Sequence, residues 1–241
     1  MKLSILIPVY NEARTITTLL ERVITAPLPN VIQREIVIVD DASTDDTSSR
    51  LDAFIQNHPE CNILHNRHEV NRGKGAALRT GVEISTGDVL LIQDADLEYS
   101  PSDYPVILGP VLDGLADVVY GSRFLGGPHR VLFFWHYIGN RFLTLLSNMF
   151  TNLNLTDMET CYKVFRREAI FPPRWKSNRF GFEPEITAMV AHAGHRVYEV
   201  PIAYHGRSYA EGKKIGWKDG VRAIFTIVWA NVREMFHRNR S

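Results

Sequence analysis

The feature that most constrains the fold of this chain is the alternation of short apolar runs with longer amphipathic segments in its first half. Runs rich in valine, isoleucine and leucine predict strands, and they fall at 3–9, 35–41, 62–66, 88–96 and 116–123. The segments between them predict helices at about 13–25, after Ser43, and at 73–85. Strands that alternate with helices build βαβ units, so we expect an α/β fold with a mainly parallel central sheet and helices on both faces.

The second half is less regular, but it contains no repeat, low-complexity tract or linker. Its pattern predicts strands at 160–168 and 195–204 and helices at 184–192 and 217–238, with a strongly apolar segment at 131–155. We therefore expect a single domain over 1–241, made of a half at about 1–125 and a half at about 126–241.

Charge and cysteine content narrow the classes of partner. The chain has 27 basic and 27 acidic residues, so its overall charge gives no reason to expect nucleic-acid binding. Cys61 and Cys161 have neither paired nor metal-binding spacing, which predicts free thiols in a reducing compartment. The apolar run before Pro8 is too short for a signal peptide, and no run approaches the ~18 residues of a membrane span. We expect a cytoplasmic protein.

Asp94 and Asp96 follow the fourth predicted strand, where alternation would point both side chains to the same face. With Glu98 they offer the hard oxygen ligands that Mg²⁺ and Mn²⁺ prefer. Ligands of open α/β sheets bind at the carboxyl ends of strands, and a divalent ion there would neutralise a diphosphate leaving group. The competing interpretation is an acidic turn that caps the next helix, and Asp-x-Asp alone does not decide between them.

Three further motifs lie at predicted strand ends or helix starts. Asp40 and Asp41 close the second strand, where a carboxylate can accept the ring N–H of uracil or guanine; helix capping is the alternative. Gly73 and Lys74 open a helix, where a close phosphate approach competes with an ordinary glycine-rich turn. Arg123 follows the fifth strand, either within reach of a diphosphate or as a surface charge.

Taken in order, the segments SILIPVYNE, IVDDAS, NRGKGAAL, DVLLIQDADLE and VVYGSR resemble the family 2 glycosyltransferases over nearly the whole chain. The resemblance implies a GT-A fold with a Rossmann-like, nucleotide-sugar-binding first half, an inverting mechanism and a divalent cation. It also implies a set of roles by position: nucleoside contacts by Pro8, Tyr10, Glu12 and Asp41, approach to the diphosphate-sugar by Asp94, metal ligation by Asp96 and Glu98, and diphosphate binding by Arg123.

Within the family, TDMETCYKVFRRE and GFEPEI are similar to the polyprenyl-phosphate hexose synthases, which make dolichyl- or undecaprenyl-phosphate mannose or glucose. The resemblance implies a GDP- or UDP-hexose donor and a polyprenyl-phosphate acceptor. Processive polysaccharide synthases carry Gln-x-x-Arg-Trp. Phe171 stands at the glutamine position before Arg174 and Trp175 here, which disfavours a processive enzyme. Where relatives hold the lipid phosphate with arginine and serine, this chain offers His136, Asn140 and Arg141.

Asp157 is the candidate catalytic base or acceptor-positioning residue, and helix capping is its alternative role. A phosphate acceptor has a second pKa of about 6 and is already nucleophilic at neutral pH, so a strong base is not obligatory. If the acceptor were instead a sugar hydroxyl on a glycan or glycolipid, Asp157 would be an essential base.

The acceptor half carries two candidate interfacial helices. Residues 131–155 show a narrow polar stripe on a broad apolar surface, which is typical of a core helix and also of helices that lie in the membrane interface in this family. The last helix is amphipathic, with Arg222, Arg233 and Arg238 suited to anionic headgroups or to plain solvent. We expect peripheral binding to the cytoplasmic face of a membrane.

The stretch 206–216 carries Arg207, Lys213 and Lys214 between glycines, and we predict a mobile lid that closes over the donor diphosphate. A solvated surface loop is the alternative. Two rival functions remain for the whole chain. A sugar nucleotidyltransferase would need a glycine-rich basic loop where PVYNE stands, and a non-catalytic nucleotide-sugar-binding scaffold would not need the intact acidic pair.

Overall fold

The computed structural model describes residues 1–29, 32–131, 133–179, 181–207 and 217–238, with the backbone alone described at 217, 218, 237 and 238. The strands in these ranges are β1 (Lys2–Val9), β2 (Gln33–Asp40), β3 (Ile63–Arg67), β4 (Val89–Ile92), β5 (Val118–Ser122), β6 (Lys163–Arg166) and β7 (Val197–Pro201). They form one sheet in the order β3-β2-β1-β4-β6-β5-β7. Only β6 runs antiparallel to its neighbours, which confirms the predicted α/β fold with a mainly parallel sheet.

Helices cover both faces of the sheet. They are α1 (Ile16–Thr25), α2 (Thr47–Asn57), α3 (Lys74–Ile84), α4 (Tyr104–Leu112), α5 (Phe134–Thr151), the short α6 (Arg167–Ile170), α7 (Phe182–His192) and α8 (Trp217–Arg238). Alternate side chains of β1 enter two separate cores: Ile5 packs on the side of α1, α2 and α4, and Leu6 packs on the side of α3, α7 and α8. This alternation follows from the period of two along a strand.

The sheet topology brings the candidate residues to one edge. The strand order reverses between β1 and β4, and such a switch point opens a crevice at the carboxyl ends of the strands. Because β6 is antiparallel, the segment before it, which carries Asp157, arrives at the same edge as Arg123 after β5. The segment after β7 returns there too, since Tyr204 forms an isolated bridge with Tyr99.

Strand β4 ends four residues earlier than the predicted boundary at 96. Gln93 turns the chain out of the sheet, because its buried side chain donates to the carbonyls of Asp94 and Tyr99 and accepts from the Tyr104 hydroxyl. Leu97 then adopts a positive φ of 64°, which is uncommon for a residue with a side chain. Asp94 and Asp96 therefore lie in a loop beyond the strand, where the alternation that predicted a shared face no longer applies.

Candidate active site

The first cluster at this edge gathers acidic side chains around Arg207. Its guanidinium Nη2 lies 2.7 Å from Asp96 Oδ2, its Nε lies 3.1 Å from Glu98 Oε1, and its Nη1 lies 4.0 Å from Glu12 Oε2. The backbone N–H of Arg207 also donates to Glu98, as does the Tyr204 hydroxyl. Three carboxylates from the ends of β1 and β4 thus converge on one cation.

Negative charge is in excess in this cluster. Burial, together with the neighbouring carboxylates of Asp94 and Glu98, raises the pKa of Asp96 to about 7, although Arg207 opposes the rise. Asp96 Oδ1 accepts the backbone N–H of Glu98 and so closes the turn at Leu97. The cluster is therefore a place that would gain from additional positive charge.

A second cluster joins Asp94 to helix α3. Lys74 Nζ lies 2.7 Å from Asp94 Oδ1 and 3.5 Å from Glu183 Oε1. Burial alone would lower the pKa of Lys74, but the charges of Asp94, Cys161 and Glu183 hold that pKa well above its usual value. Lys74 is thus a permanent cation at the base of the site, and Asp94 and Asp96 face different partners.

No three Asp, Glu, His or Cys side chains within the described ranges lie close enough together to ligate an ion as they stand. Around Asp96, the carboxylates are kept apart because the Arg207 guanidinium lies among them. Asp94 is engaged by Lys74, so the three predicted metal ligands Asp94, Asp96 and Glu98 are split between two cationic partners.

The third cluster is an ion pair between Arg123 and Asp157. Arg123 donates from Nε (2.6 Å), Nη2 (2.7 Å) and its backbone N–H (3.1 Å) to the two oxygens of Asp157. Asn140 of α5 adds a fourth hydrogen bond of 3.0 Å to the same carboxylate. Although burial opposes it, the charge of Arg123 holds the pKa of the fully buried Asp157 below its usual value.

This geometry favours a positioning role for Asp157 over proton abstraction. A carboxylate with a lowered pKa and four hydrogen bonds is a weak base, and it holds the guanidinium in one orientation. Arg123 also lies over the ring of Tyr204, with 5.2 Å between the guanidinium carbon and the ring centroid. Tyr204 in turn donates to Glu98, so it contacts both the first and the third cluster.

A family model described as "Glycosyl transferase family 2" matches residues 4–171. The undecaprenyl-phosphate mannosyltransferase of Micrococcus luteus is 30% identical over 239 residues, which cover 95% of this chain and 94% of that protein. The chain belongs to glycosyl transferase family 2. This confirms the resemblance and makes the protein a glycosyltransferase.

Other similar proteins agree. The undecaprenyl-phosphate 4-deoxy-4-formamido-L-arabinose transferase of Yersinia enterocolitica is 27% identical over 88% of this chain, which spans 62% of that longer protein. Among solved structures, one similar to this chain is glucosyl-3-phosphoglycerate synthase from Mycobacterium tuberculosis in complex with Mn²⁺, UDP and phosphoglyceric acid. The two structures superpose with a TM-score of 0.72 at 19% sequence identity, and the match covers 95% of this chain and 78% of that one. A complex of the same synthase with Mg²⁺ and UDP gives a TM-score of 0.70. These likenesses confirm the predicted GT-A fold.

In this transferase the carboxylates at the end of β2 hold loops. Asp40 accepts from the Ser43 N–H (2.9 Å) and the Ser48 hydroxyl (2.5 Å), and it is fully buried. Asp41 accepts from His68 Nδ1 and from the backbone N–H groups of Arg72 and Gly73. Asp40 thus ties the loop after β2 to α2 without capping the helix, whose N-cap residue is Asp46, and Asp41 anchors the loop that leads into α3. Its predicted contact with a nucleoside stays a prediction.

The glycines that open α3 have a different partner from the predicted phosphate. A Cβ on Gly73 would lie 2.4 Å from the Asn178 carbonyl oxygen, and a Cβ on Gly75 would lie 2.2 Å from the Ser177 carbonyl oxygen. The Asn178 carbonyl accepts from the backbone N–H of Ala76, so segment 175–179 covers the start of the helix. The close approach that the glycines permit is thus made by the chain itself, and the predicted phosphate contact of Gly73 stays a prediction.

The remaining predicted donor-site residues differ in exposure, and two of them are not described. Pro8 is half-buried at the end of β1, Tyr10 is 40% exposed beside it, and Glu12 reaches toward Arg207. Tyr10 therefore offers exposed aromatic surface just beyond the end of β1. Lys213 and Lys214 lie outside the described residues, and so does the predicted lid beyond Arg207.

Sequence reasoning missed several buried carboxylates that support the site. Glu199 accepts the backbone N–H groups of Thr156 and Asp157 and so fixes the loop that carries Asp157. Glu185 accepts from Lys176 and Ser177 in the segment that covers α3. Glu183 pairs with Lys74. Their available signal was the placement of acidic residues in otherwise apolar helix and strand segments.

Helix α5 turns its polar stripe toward the protein. Thr144 and Ser147 are its buried residues, Thr144 accepts from the Met158 N–H, and Asn148 bonds to Leu155 in both directions. The outward side of α5 is apolar. Helix α5 also packs beside α8. The large exposed apolar side chains described on these two helices, which we call the apolar face, are Phe134, Trp135, Tyr137, Ile138, Phe142, Leu145 and Met149 of α5 and Val221, Phe225, Val228, Trp229, Val232, Met235 and Phe236 of α8.

The cations of α8 differ from the prediction in one respect. Arg222 is exposed, but Arg233 Nη1 forms an ion pair with the fully buried Glu185 at 2.5 Å and is therefore structural. The Arg238 side chain is not described. Across the described residues, no helix is both long enough and apolar enough to cross a membrane.

Proposed function

We propose that this transferase moves a hexose, with inversion, from GDP- or UDP-hexose to a polyprenyl phosphate. The observation that carries the proposal is the orientation of α5. Its apolar residues face outward, while Asn140 on its inner side is bonded to Asp157 and hence to Arg123. A surface helix of an ordinary water-soluble protein has the opposite arrangement. The names of the two undecaprenyl-phosphate transferases support the same acceptor class.

We assign the donor to the crevice between the Arg207 and Arg123 clusters. Tyr10 supplies an aromatic surface for the base, and Lys74 and Arg123 supply fixed positive charge for a diphosphate. Arg123 is held by the buried Asp157, and Lys74 by the half-buried Asp94 and the buried Glu183, so little reorganisation is needed when charge develops on the leaving group. Such preorganised charge stabilises the transition state more than the ground state.

The residues around Arg207 fit a divalent cation by their donor chemistry. Glu12, Asp96 and Glu98 supply only oxygen ligands, and the raised pKa of Asp96 reflects an excess of negative charge. We propose that these carboxylates hold Mg²⁺ or Mn²⁺. When bound, such an ion would neutralise charge on the departing diphosphate.

The acceptor needs little help with its proton. A phosphate monoester has a second pKa of about 6, so at neutral pH it presents an anionic oxygen that can attack the anomeric carbon directly. We therefore assign Asp157 to orienting Arg123, and Asn140 to linking that pair with the helix that faces the acceptor. Arg141 is exposed and His136 is half-buried on the same helix, and they are candidates for contacting the acceptor phosphate.

The apolar face supports peripheral membrane binding, because contiguous exposed apolar side chains of this size are rare on proteins that meet only water. Both cysteines are free, which favours a reducing compartment and therefore the cytoplasmic face of the membrane.

The test is a product assay. The purified protein is incubated with Mn²⁺ and a panel of UDP- and GDP-hexoses, together with either undecaprenyl phosphate in detergent or a sugar acceptor. We expect a lipid-phosphate hexose from one donor class, with inverted configuration at the anomeric carbon. Transfer to the sugar hydroxyl without transfer to the lipid phosphate would contradict the proposed acceptor, and donor binding without any transfer would favour the scaffold role.

A further inference from the structure

Arg207 lies where the proposed metal ligands converge. Its guanidinium is hydrogen-bonded to Asp96 Oδ2 and Glu98 Oε1 and is 4.0 Å from Glu12 Oε2, and its backbone N–H holds Glu98 as well. The guanidinium is largely buried in this position, with a side-chain exposure of 22%. The contact is therefore a specific one that uses one oxygen of each of two carboxylates.

A guanidinium and a divalent ion cannot use these oxygens together. A metal ion needs its oxygen ligands within about 2.0–2.6 Å, whereas Arg207 Nη2 already lies 2.7 Å from Asp96 Oδ2. An ion placed among the three carboxylates would lie against the guanidinium, and both are positively charged.

We infer that Arg207 is a built-in counter-ion of the cation site, so that a divalent ion binds only by displacing the guanidinium from Asp96 and Glu98. The inference rests on the proposed metal ligands. Three carboxylates against one guanidinium leave an excess of negative charge, so the exchange of Arg207 for a divalent ion is electrostatically favourable once the guanidinium has another anion to contact.

The diphosphate of the donor is the anion that this chemistry selects. A guanidinium released from a carboxylate pair forms equally good bidentate contacts with phosphate oxygens. Arg207 therefore makes tight cation binding conditional on a nucleoside diphosphate and disfavours a metal-loaded site without its donor. Tyr204, which donates to Glu98 and lies over Arg123, is positioned to keep Glu98 in place while Arg207 leaves.

The first experiment measures the Kd of Mn²⁺ alone, without nucleotide, by calorimetry or by the electron paramagnetic resonance of free Mn²⁺. We expect Arg207→Gln to bind Mn²⁺ about tenfold more tightly than the unaltered protein, since no counter-ion must leave. Arg207→Lys should fall between them, because a lysine keeps the charge without the planar fork. Arg222→Gln, which removes an exposed cation on α8, is the matched control and should leave the Kd unchanged.

The second experiment needs no variant and so does not depend on the folding of Arg207→Gln. Phenylglyoxal modification of Arg207 in the unaltered protein is followed by mass spectrometry with and without Mn²⁺. Displacement predicts faster modification of Arg207 when Mn²⁺ is present, with the rate at Arg222 unchanged.

Asp96→Asn separates this inference from the metal assignment beneath it. If Asp96→Asn leaves Mn²⁺ affinity intact, the proposed metal ligands are wrong. If Asp96→Asn abolishes Mn²⁺ binding, but Arg207→Gln does not tighten it and Mn²⁺ does not speed modification of Arg207, the metal site stands and the counter-ion role of Arg207 is overturned.

Discussion

The ion pair between Arg123 and Asp157 illustrates how a buried charge depends on its partner. Asp157 has no solvent exposure, and the Arg123 side chain is 14% exposed. Removing one member leaves the other charged and desolvated, which typically costs about 3–5 kcal/mol, whereas removing both leaves no orphaned charge.

A double-mutant cycle tests this pair. We expect Arg123→Met and Asp157→Ala each to lower the free energy of unfolding by about 3 kcal/mol or more, and the double variant to lose clearly less than the sum. Urea denaturation measures all four proteins. Additive losses would contradict the view that the two side chains act as a unit.

At the same scale, sequence identified the residue types of the site better than their partners. The acidic residues after β1 and β4 and the arginine after β5 do meet at one edge, because their positions follow from strand ends. Glu183 contacts Lys74 from more than 100 residues away along the chain, and Glu199 holds Asp157 from 42 residues away, and no local pattern encodes such contacts. The Arg207 contact was missed for the same reason.

Helix α3 owes its position to two glycines that meet segment 175–179. Trp175 Nε1 donates to the Gly75 carbonyl at 2.9 Å, so this contact also anchors a buried indole. Gly81, three residues before the end of α3, has ordinary contacts only, with the nearest atom 3.6 Å from a built Cβ. Gly75 therefore has no room for a Cβ, whereas Gly81 has room for one.

We predict that Gly75→Ala destabilises the protein by about 2 kcal/mol or more, because its Cβ would meet backbone that cannot move without lifting Trp175. Gly81→Ala in the same helix should be neutral or stabilise by up to about 1 kcal/mol, since alanine is the better helix former and there is room for it. Thermal unfolding compares the two. Equal effects would contradict the packing described for segment 175–179.

Among the elements, α5 is the helix whose buried side the sequence pattern could not predict. Its polar stripe and broad apolar side were legible in the sequence, but a core helix and an interfacial helix share that pattern. Only the tertiary structure reveals which side faces the protein, and here Asn140, Thr144 and Asn148 face inward to satisfy the loop at 155–158. Strand and helix locations were predicted well in the first half, where the βαβ alternation is regular.

At the scale of the whole molecule, three strands of the sheet are tied together at their amino-terminal ends, opposite the site. Glu35 of β2 accepts from Lys2 and Ser4 of β1 and from Thr86 just before β4, so one buried carboxylate joins three neighbouring strands. Burial opposes ionisation, but these donors together lower the pKa of Glu35 from 4.5 to about 2.

The lowered pKa predicts a pH dependence of stability. A depressed carboxyl pKa contributes stability that is present above the unfolded value near 4.5 and is lost as pH falls through about 2. The full contribution is about 3 kcal/mol. We expect the free energy of unfolding to fall over this acid range, and Glu35→Gln to be less stable at neutral pH with a shallower decline. An equally steep decline in Glu35→Gln would assign the acid sensitivity to other carboxylates.

In the whole molecule, we propose that α5 links the donor crevice to the apolar face. The measurement that tests it most directly is kcat/KM for a long polyprenyl phosphate in vesicles and for a short, water-soluble prenyl phosphate, in the unaltered protein and in Phe142→Ser/Phe225→Ser. Val70→Ser, which alters an exposed apolar side chain outside the face, is the control.

Both phenylalanines are more than half exposed, so the variant should fold normally. We predict that it lowers kcat/KM for the vesicle-bound acceptor by about tenfold or more, since each side chain contributes on the order of 1 kcal/mol of apolar burial, and leaves kcat/KM for the short acceptor within about twofold. Equal losses on both acceptors, or no loss on either, would contradict the role of the apolar face in presenting a lipid phosphate to the site.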